Sequence, residues 1–289
     1  NLEKLIFKNQ DNNLNNFIAD LMVCSGVFMS VGIVIGLFES MFLSSELFYH
    51  IHRHNYPYIG QKVSYSGFGF NHNFTAYIIV IAQSFLFLST SSIMKNLRTY
   101  LTILFFLALL VTGAKIAVLF ISLVVCNYFF EDKIKKNLTN ILLIILYLFA
   151  SHIVVAFHDS YELNSMHYRE LLFSVGNIDF ILGSYGYIKV DYFMELKDNY
   201  FLPVNVIDIT QTLKDDPHSL IHSLIILGGL PLALSVLIFI VMGIYKNFAV
   251  IQERYPSYYF CGLVSIITET FIWDSNNSIF FWIIILYAV

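Results

Sequence analysis

Apolar residues fall in runs over roughly 17–38, 73–91, 99–130, 138–157, 218–245, 258–273 and 279–289, separated by polar breaks at 39–72, 92–98, 131–137, 158–217, 246–257 and 274–278. A helix of about 20 apolar residues crosses a hydrocarbon core roughly 30 Å thick. The pattern therefore predicts an all-α polytopic membrane protein with about eight transmembrane or half-spanning helices. The expectation is one membrane domain over 1–289, with 158–217 as a single large loop on one side of the bilayer. The chain begins at Asn1 and stops inside an apolar run, which reads as a fragment, with the polar start NLEKLIFKNQDNNLNN as a cytoplasmic segment.

The run 99–130 does not fit one span. Its 32 residues would make a helix about 48 Å long, well beyond the core thickness. Two shorter helices turning back at Thr112-Gly113-Ala114-Lys115 fit better. Charge decides between the two, because Lys and Arg near span ends mark the cytoplasmic side. The basic clusters are Lys4/Lys8, Lys95/Arg98, Lys133/Lys135/Lys136 and Lys246/Arg254. With a turn-back pair, all four fall on one side. With a single span, the last two switch sides. The pair puts 39–72, Lys115 and 158–217 together on the outer face. The ten acids against four bases in 158–217 point the same way, weakly, since long loops are poor witnesses of orientation.

Composition sharpens the class. The chain is 57% hydrophobic and 12% charged, about half the charge of a soluble domain. The net charge of −4 and the lack of a basic stripe argue against nucleic acid as a partner. Cys24, Cys126 and Cys261 lie far apart in apolar runs, which reads as buried thiols rather than a metal set. His50, His52 and His54 in YHIHRHNY would share a face on a strand. No acid or cysteine set accompanies them, so the segment reads as polar and interfacial, and no metal is expected.

Three outer-face segments can carry chemistry. In SYSGFGFNHNFTAY (64–77), Gly67 and Gly69 lead to Asn71-His72-Asn73 at the mouth of a helix, with Asn73 placed to cap it and free N–H groups suited to an anion. In HYRELLFSVGNIDFILGSYGY (167–187), Arg169 is the side-chain type for bidentate phosphate contact, though Glu162 and Glu170 are alternative partners. In DDPHSLIHSLIILGGLPLALSVLIF (215–239), Pro217 fits the first helical position and Asp215 and Asp216 complement the helix dipole. His218 then lies in the first turn, where a histidine can act as general base, with His222 one turn deeper on the same face. Lys115 itself is either a snorkelling side chain or, as an ionisable group at membrane depth, a mark of a substrate path.

Taken in order, these segments resemble the O-antigen ligase/polymerase family of bacterial membrane glycosyltransferases. SGFGFNHNFTAY is similar to its Gly-x-x-x-Asn-x-Asn-x-x-Ala stretch, and LLVTGAKIAVLF to its Thr-Gly-Ser-Arg-Gly-Ala turn. HYRELLF with ILGSYGY resembles its Arg and Gly-x-Gly segments. PHSLIHSLIILGGLPLAL resembles its His-Asn-x-x-Leu helix, here His218 with Gly229 eleven residues on. The likeness spans about residues 60–285. It implies transfer of a glycan from undecaprenyl pyrophosphate to an acceptor hydroxyl, on the lipid A core or on another lipid-linked glycan. The reaction would run on the periplasmic face of the inner membrane, without a cofactor. It implies His218 as catalytic base and Arg169 and Lys115 as pyrophosphate ligands, with Asn73, His222 and Asp216 in support. Lys115 stands where the family has Arg, and Ser219 where it has Asn. The competing expectation is a transporter or flippase of lipid-linked glycans.

Overall fold

The computed structural model describes residues 2–42, 51–56, 60–69, 71–87, 89, 91–130, 132–156, 220–254 and 257–272. Among them the chain is mostly helical. The elements are α1 (Leu2–Phe42), β1 (Ile51–Tyr56), β2 (Gly60–Tyr65), α2 (His72–Leu86), α3 (Ser92–Thr112), α4 (Lys115–Phe129), α5 (Lys133–Ala156), α6 (Leu220–Arg254) and α7 (Ser257–Ile272). The run 279–289 and the segment 158–217 lie outside the described residues.

The elements differ from the sequence expectation in several places; α3 and α5 begin at Ser92 and Lys133, inside the polar breaks expected over 92–98 and 131–137. Helix α1 starts at Leu2 rather than near residue 17, because no glycine or proline interrupts the polar start. The purely helical expectation is corrected by an antiparallel hairpin in which Ile51 pairs with Tyr65 and Tyr56 with Gly60. Its first strand is most of YHIHRHNY, whose alternation suits a strand better than an irregular surface segment. Helix α6 runs on to Arg254 but is broken inside, at Gly228 (φ −146°, ψ 21°) and Gly229 (φ 68°, ψ −170°). Pro231 follows the break, where a helix restarts without needing its N–H.

The chain divides into two compact units. Among the described residues, the first holds everything up to Tyr147 together with Asn247–Ile267. The second holds Leu148–Lys246 and the end of α7 from Thr268.

In the first unit, α1 and α2 run antiparallel. Asp20 on α1 meets the Ser89 hydroxyl just beyond α2, Gly26 faces Ala82, and Gly32 faces Phe68 just before α2. Helix α3 returns along α2. Gln83 Nε2 donates to Thr102 Oγ1 at 3.3 Å, and the Arg98 guanidinium lies 5.1 Å from the Phe87 ring centre.

Helices α3 and α4 then form the turn-back pair. Phe106 and Phe120 sit seven residues on either side of Gly113, with ring centres 6.0 Å apart. In a straight helix, fourteen residues would separate them by about 21 Å. Gly113 ends α3 at φ 61° and Ala114 is extended. Thr112 Oγ1 closes the turn by donating to the Leu109 carbonyl at 2.6 Å and accepting the Ala114 N–H at 3.3 Å.

Helix α7 joins this bundle through its first turns. Tyr258 stacks on Phe87 at 4.5 Å, and Tyr259 meets Phe85 edge-on at 5.9 Å. Asn127 of α4 donates to Asn140 Oδ1 of α5 and to Cys261 Sγ of α7, each at 3.3 Å. These contacts sort the helix ends. Lys95, Arg98, Lys135 and Lys136 share one end with Phe87, Asn127 and Tyr258; the start of α2 and the Gly113 turn lie at the other.

Asn16–Phe42 and Ser92–Thr112 are long and apolar enough to cross a membrane, while Lys115–Phe129 and Gly228–Ile240 are shorter apolar helices. Leu21 and Phe38 of α1, Ile103, Leu107 and Leu110 of α3, and Ile141 and Leu142 of α5 face outward. Cys126 and Cys261 are buried; Cys24, expected to be buried, is on an exposed face of α1.

Close helix approach depends on missing side chains. A Cβ at Gly262 of α7 would stand 1.7 Å from Ser84 Oγ of α2. Gly262→Val is expected to lower stability by about 1–3 kcal/mol, read as a drop in Tm of the detergent-purified chain by size-exclusion thermal challenge. Leu107→Val, on an exposed face, is the control. An unchanged Tm for Gly262→Val would mean that α7 does not pack on α2 this way.

Candidate functional site

The end of the first unit opposite Lys95, Arg98, Lys135 and Lys136 holds two of the sequence segments that suggested chemistry, the start of α2 and the Gly113 turn. Helix α2 begins at His72, so the residue before it, Asn71, is the cap. Asn71 is extended (φ −138°, ψ 129°) and its Oδ1 accepts the Asn73 N–H at 2.8 Å. The expectation that Asn73 caps the helix is thereby corrected. A capping oxygen reaches the amides of the second and third helical residues, and Asn73 is the second. Its side chain is half-buried and is not the cap.

The preceding Ser66–Gly69 turn is tied to α2 by the Thr75 hydroxyl, which donates to the Ser66 carbonyl at 2.8 Å. The turn is also pressed onto α1: a Cβ on Gly67 would lie 2.6 Å from the backbone nitrogen of Ile33. Part of the glycine pattern in SGFGFNHNF thus serves packing.

Lys115 is the first residue of α4 and is half-buried. A cation there opposes the helix dipole, whose positive end it shares, at a cost of about 0.3–1 kcal/mol. Ala114, at the capping position, offers no side-chain hydrogen bond. A lysine beside the leading amides of a helix adds its charge to the positive end of the dipole, an arrangement whose chemistry suits an anion.

The register brings Lys115 and the start of α2 to one level. Phe87 meets Arg98 and Gln83 meets Thr102, so each step back along α2 is one step forward along α3. Carried on, the register sets His72 level with Gly113. From the Gln83–Thr102 pair, both points are reached after about 16 Å of helix. Asn71, Asn73 and Lys115 therefore share one end of the first unit.

The other expected site residues are placed differently. His222 lies on α6, in the second unit. Arg169, Asp216 and His218 lie outside the described residues. Among the described residues, no group of three His, Cys, Asp or Glu side chains could hold a metal ion.

Two acids outside the sequence expectation are buried, one in each unit. Glu39 of α1 is only 3% exposed and Glu269 of α7 only 4%. Glu39 is next to Ser40, whose hydroxyl lies 3.2 Å from that of Tyr65 on β2, at the same end as Asn71. The signal in the sequence is an isolated acid in or beside an apolar run, a costly placement that often marks function.

No protein-family model matches the chain, and the searches of curated proteins and of solved structures likewise give no match.

Three substitutions test how this end is built. Asn71→Ala is expected to cost about 1 kcal/mol of stability through the lost cap, whereas Asn73→Ala leaves the melting temperature unchanged. Equal losses would return the capping role to Asn73. Gly113→Ala forces a left-handed alanine, at about 1–2 kcal/mol, and is expected to lower Tm without altering the net charge at the site.

Proposed function

We propose that the chain is a multi-pass protein of the bacterial inner membrane that transfers a glycan from undecaprenyl pyrophosphate to an acceptor hydroxyl, as an O-antigen or surface-polysaccharide ligase or polymerase. About eight transmembrane or half-spanning helices and a large periplasmic loop over 158–217 belong to this reading, given the bilayer thickness. The observation that carries it is the position of Lys115. It is a lysine set at the positive end of α4, level with the start of α2, at the end of the bundle opposite Lys95, Arg98, Lys135 and Lys136. On this reading the basic end is cytoplasmic and Lys115 faces the periplasm, where lipid-linked glycans are presented. The outward apolar faces of α1, α3 and α5 support the membrane setting.

In this mechanism His218 removes the proton of the acceptor hydroxyl. The resulting oxygen attacks the anomeric carbon from the side opposite the pyrophosphate. The new glycosidic bond forms as the carbon–oxygen bond to the pyrophosphate breaks, with inversion. Undecaprenyl pyrophosphate leaves with the bonding electrons. Lys115 and Arg169 stabilise the charge that gathers on it, most strongly in a site sheltered from water. Asn73, His222 and Asp216 take supporting roles. The acceptor is the lipid A core or a second lipid-linked glycan.

A second reading has one observation in its favour. The break of α6 at Gly228–Gly229 resembles the discontinuous helices of transporters, which suits a flippase for the same lipids. A labelled lipid-linked donor separates the two, because only a transferase makes a new glycosidic bond and frees the prenyl pyrophosphate.

The decisive experiment deletes the full-length gene and displays surface glycans on a gel, with complementation by variants. Lys115→Ala is expected to lower transfer about 100-fold or more, Lys115→Arg to retain it, and His218→Ala to abolish it with the protein still in the membrane. Chains collapsed to core plus one repeat unit identify a polymerase. Long chains left on the prenyl carrier with bare core identify a ligase. Full transfer by Lys115→Ala makes Lys115 a snorkelling residue and removes the main support for the site.

A further inference from the structure

The end of the first unit away from Lys115 has its own construction. Arg98 of α3 lies over the Phe87 ring at 5.1 Å. Phe87 stacks on Tyr258 at 4.5 Å with planes 12° apart, and Tyr258 meets Phe106 edge-on at 6.4 Å. One guanidinium is thus fixed on an aromatic stack built from α3, α7 and the residue that closes α2. Its Nε is buried without a hydrogen-bond partner among the described residues, while the side chain as a whole remains partly exposed.

Lys95 is exposed one turn earlier on the same face. Lys135 and Lys136 come to this end through α5, whose first turns are tied to α4 and α7 by Asn127. Among the described side chains, the acids of this end are engaged elsewhere. Asp20 holds the Ser89 hydroxyl, and Asp132 accepts the first amides of α5 from Ile134 and Lys135.

Around these cations stands a rim of exposed large side chains. Ile93, Leu97 and Tyr100 lie beside Lys95 and Arg98 on α3, and Tyr128 and Phe129 end α4, with Tyr100, Tyr128 and Phe129 each more than 70% exposed. Cations beside outward tyrosines and aliphatics match the headgroup layer of a bilayer, which takes rings at its interface and carries phosphates. A free phosphate would satisfy the cations and leave the rim in water.

We propose that this end of the first unit is a seat for anionic phospholipid headgroups, with Arg98, fixed on the face of Phe87, as its immobile phosphate ligand. Lys95, Lys135 and Lys136 supply the flexible charge around it. The inference rests on the membrane part of the proposed reading and is independent of glycan transfer.

The test uses the full chain purified in mild detergent. Native mass spectrometry reads retention of phosphatidylglycerol against phosphatidylcholine of the same acyl chains. Wild type is expected to retain phosphatidylglycerol preferentially. Arg98→Gln is expected to weaken that binding about five-fold, the effect of one cation at a lipid surface, and Arg98→Lys by less. The triple variant Lys95→Gln, Lys135→Gln, Lys136→Gln leaves the aromatic stack intact and is expected to weaken it further, so a folding defect of the Arg98 variants does not decide the matter. Equal retention of the two lipids by wild type, or displacement of phosphatidylglycerol by millimolar inorganic phosphate, overturns the proposal. Alkaline carbonate extraction keeps the two readings apart: a chain released from membranes sinks the membrane reading, and a chain retained there without lipid preference sinks this inference alone.

Discussion

The first unit depends on one left-handed residue. Gly113 at φ 61° turns a continuous apolar run back on itself. An L-residue with a side chain pays about 1–2 kcal/mol for that conformation, so glycine at this position is part of the topology. Thr112 completes the turn by satisfying both a carbonyl at the end of α3 and the Ala114 amide. Remove the turn and α4 projects away from α3. Phe106 then loses Phe120, and Asn127 no longer reaches Asn140 and Cys261. The sorting of basic residues to one end follows from the same turn, because α5 starts where α4 ends.

What holds the helices side by side is small residues and a few shared polar groups. Gly26 lies against Ala82 and Gly262 against Ser84. Gln83, Thr102, Asn127 and Asn140 bond across helix boundaries. In water such a bundle would rely on apolar burial. In lipid, where apolar side chains gain little from leaving the solvent, close backbone approach and interhelical hydrogen bonds carry the packing. Outward leucines, isoleucines and aromatics on α1, α3 and α5 suit that setting.

The parts legible in the sequence were those with a long-range signal. Run lengths located α7 to within a residue and α2 to within five; α3 and α5 begin earlier, inside the expected breaks 92–98 and 131–137, and counting lysines and arginines separated a turn-back pair from one long span. The hairpin was hidden because two six-residue strands between helices leave only the alternation of IHRHNY, and a run of histidines reads equally as a polar surface. The break in α6 rests on Gly228-Gly229 in an apolar run, where a glycine pair also suits close packing. At the site, Lys115 was legible as the lone charge of its run. Asn71 was passed over for Asn73 because a cap is set by the first helical residue, and sequence boundaries are not that fine. Glu39 escaped notice because it lies just past the end of an apolar run, where an acid looks solvated.

The two ends of the first unit put cations to opposite physical uses. At one end, Arg98 rests on a stack of rings, with Lys95 exposed one turn away and Lys135 and Lys136 on α5. At the other, Lys115 stands where the amides of α4 already make the potential positive, half-buried and paired in level with the capped start of α2. In the first setting Arg98 is stabilised by the ring beneath it and, beyond the first turn of α3, does not oppose the helix dipole. A cation in the second works against its own helix. Helix stability favours an acid or a polar cap at that position, so the lysine is set against the dipole of α4. Under the proposed reading, that asymmetry is what a phosphate at the Lys115 end would use.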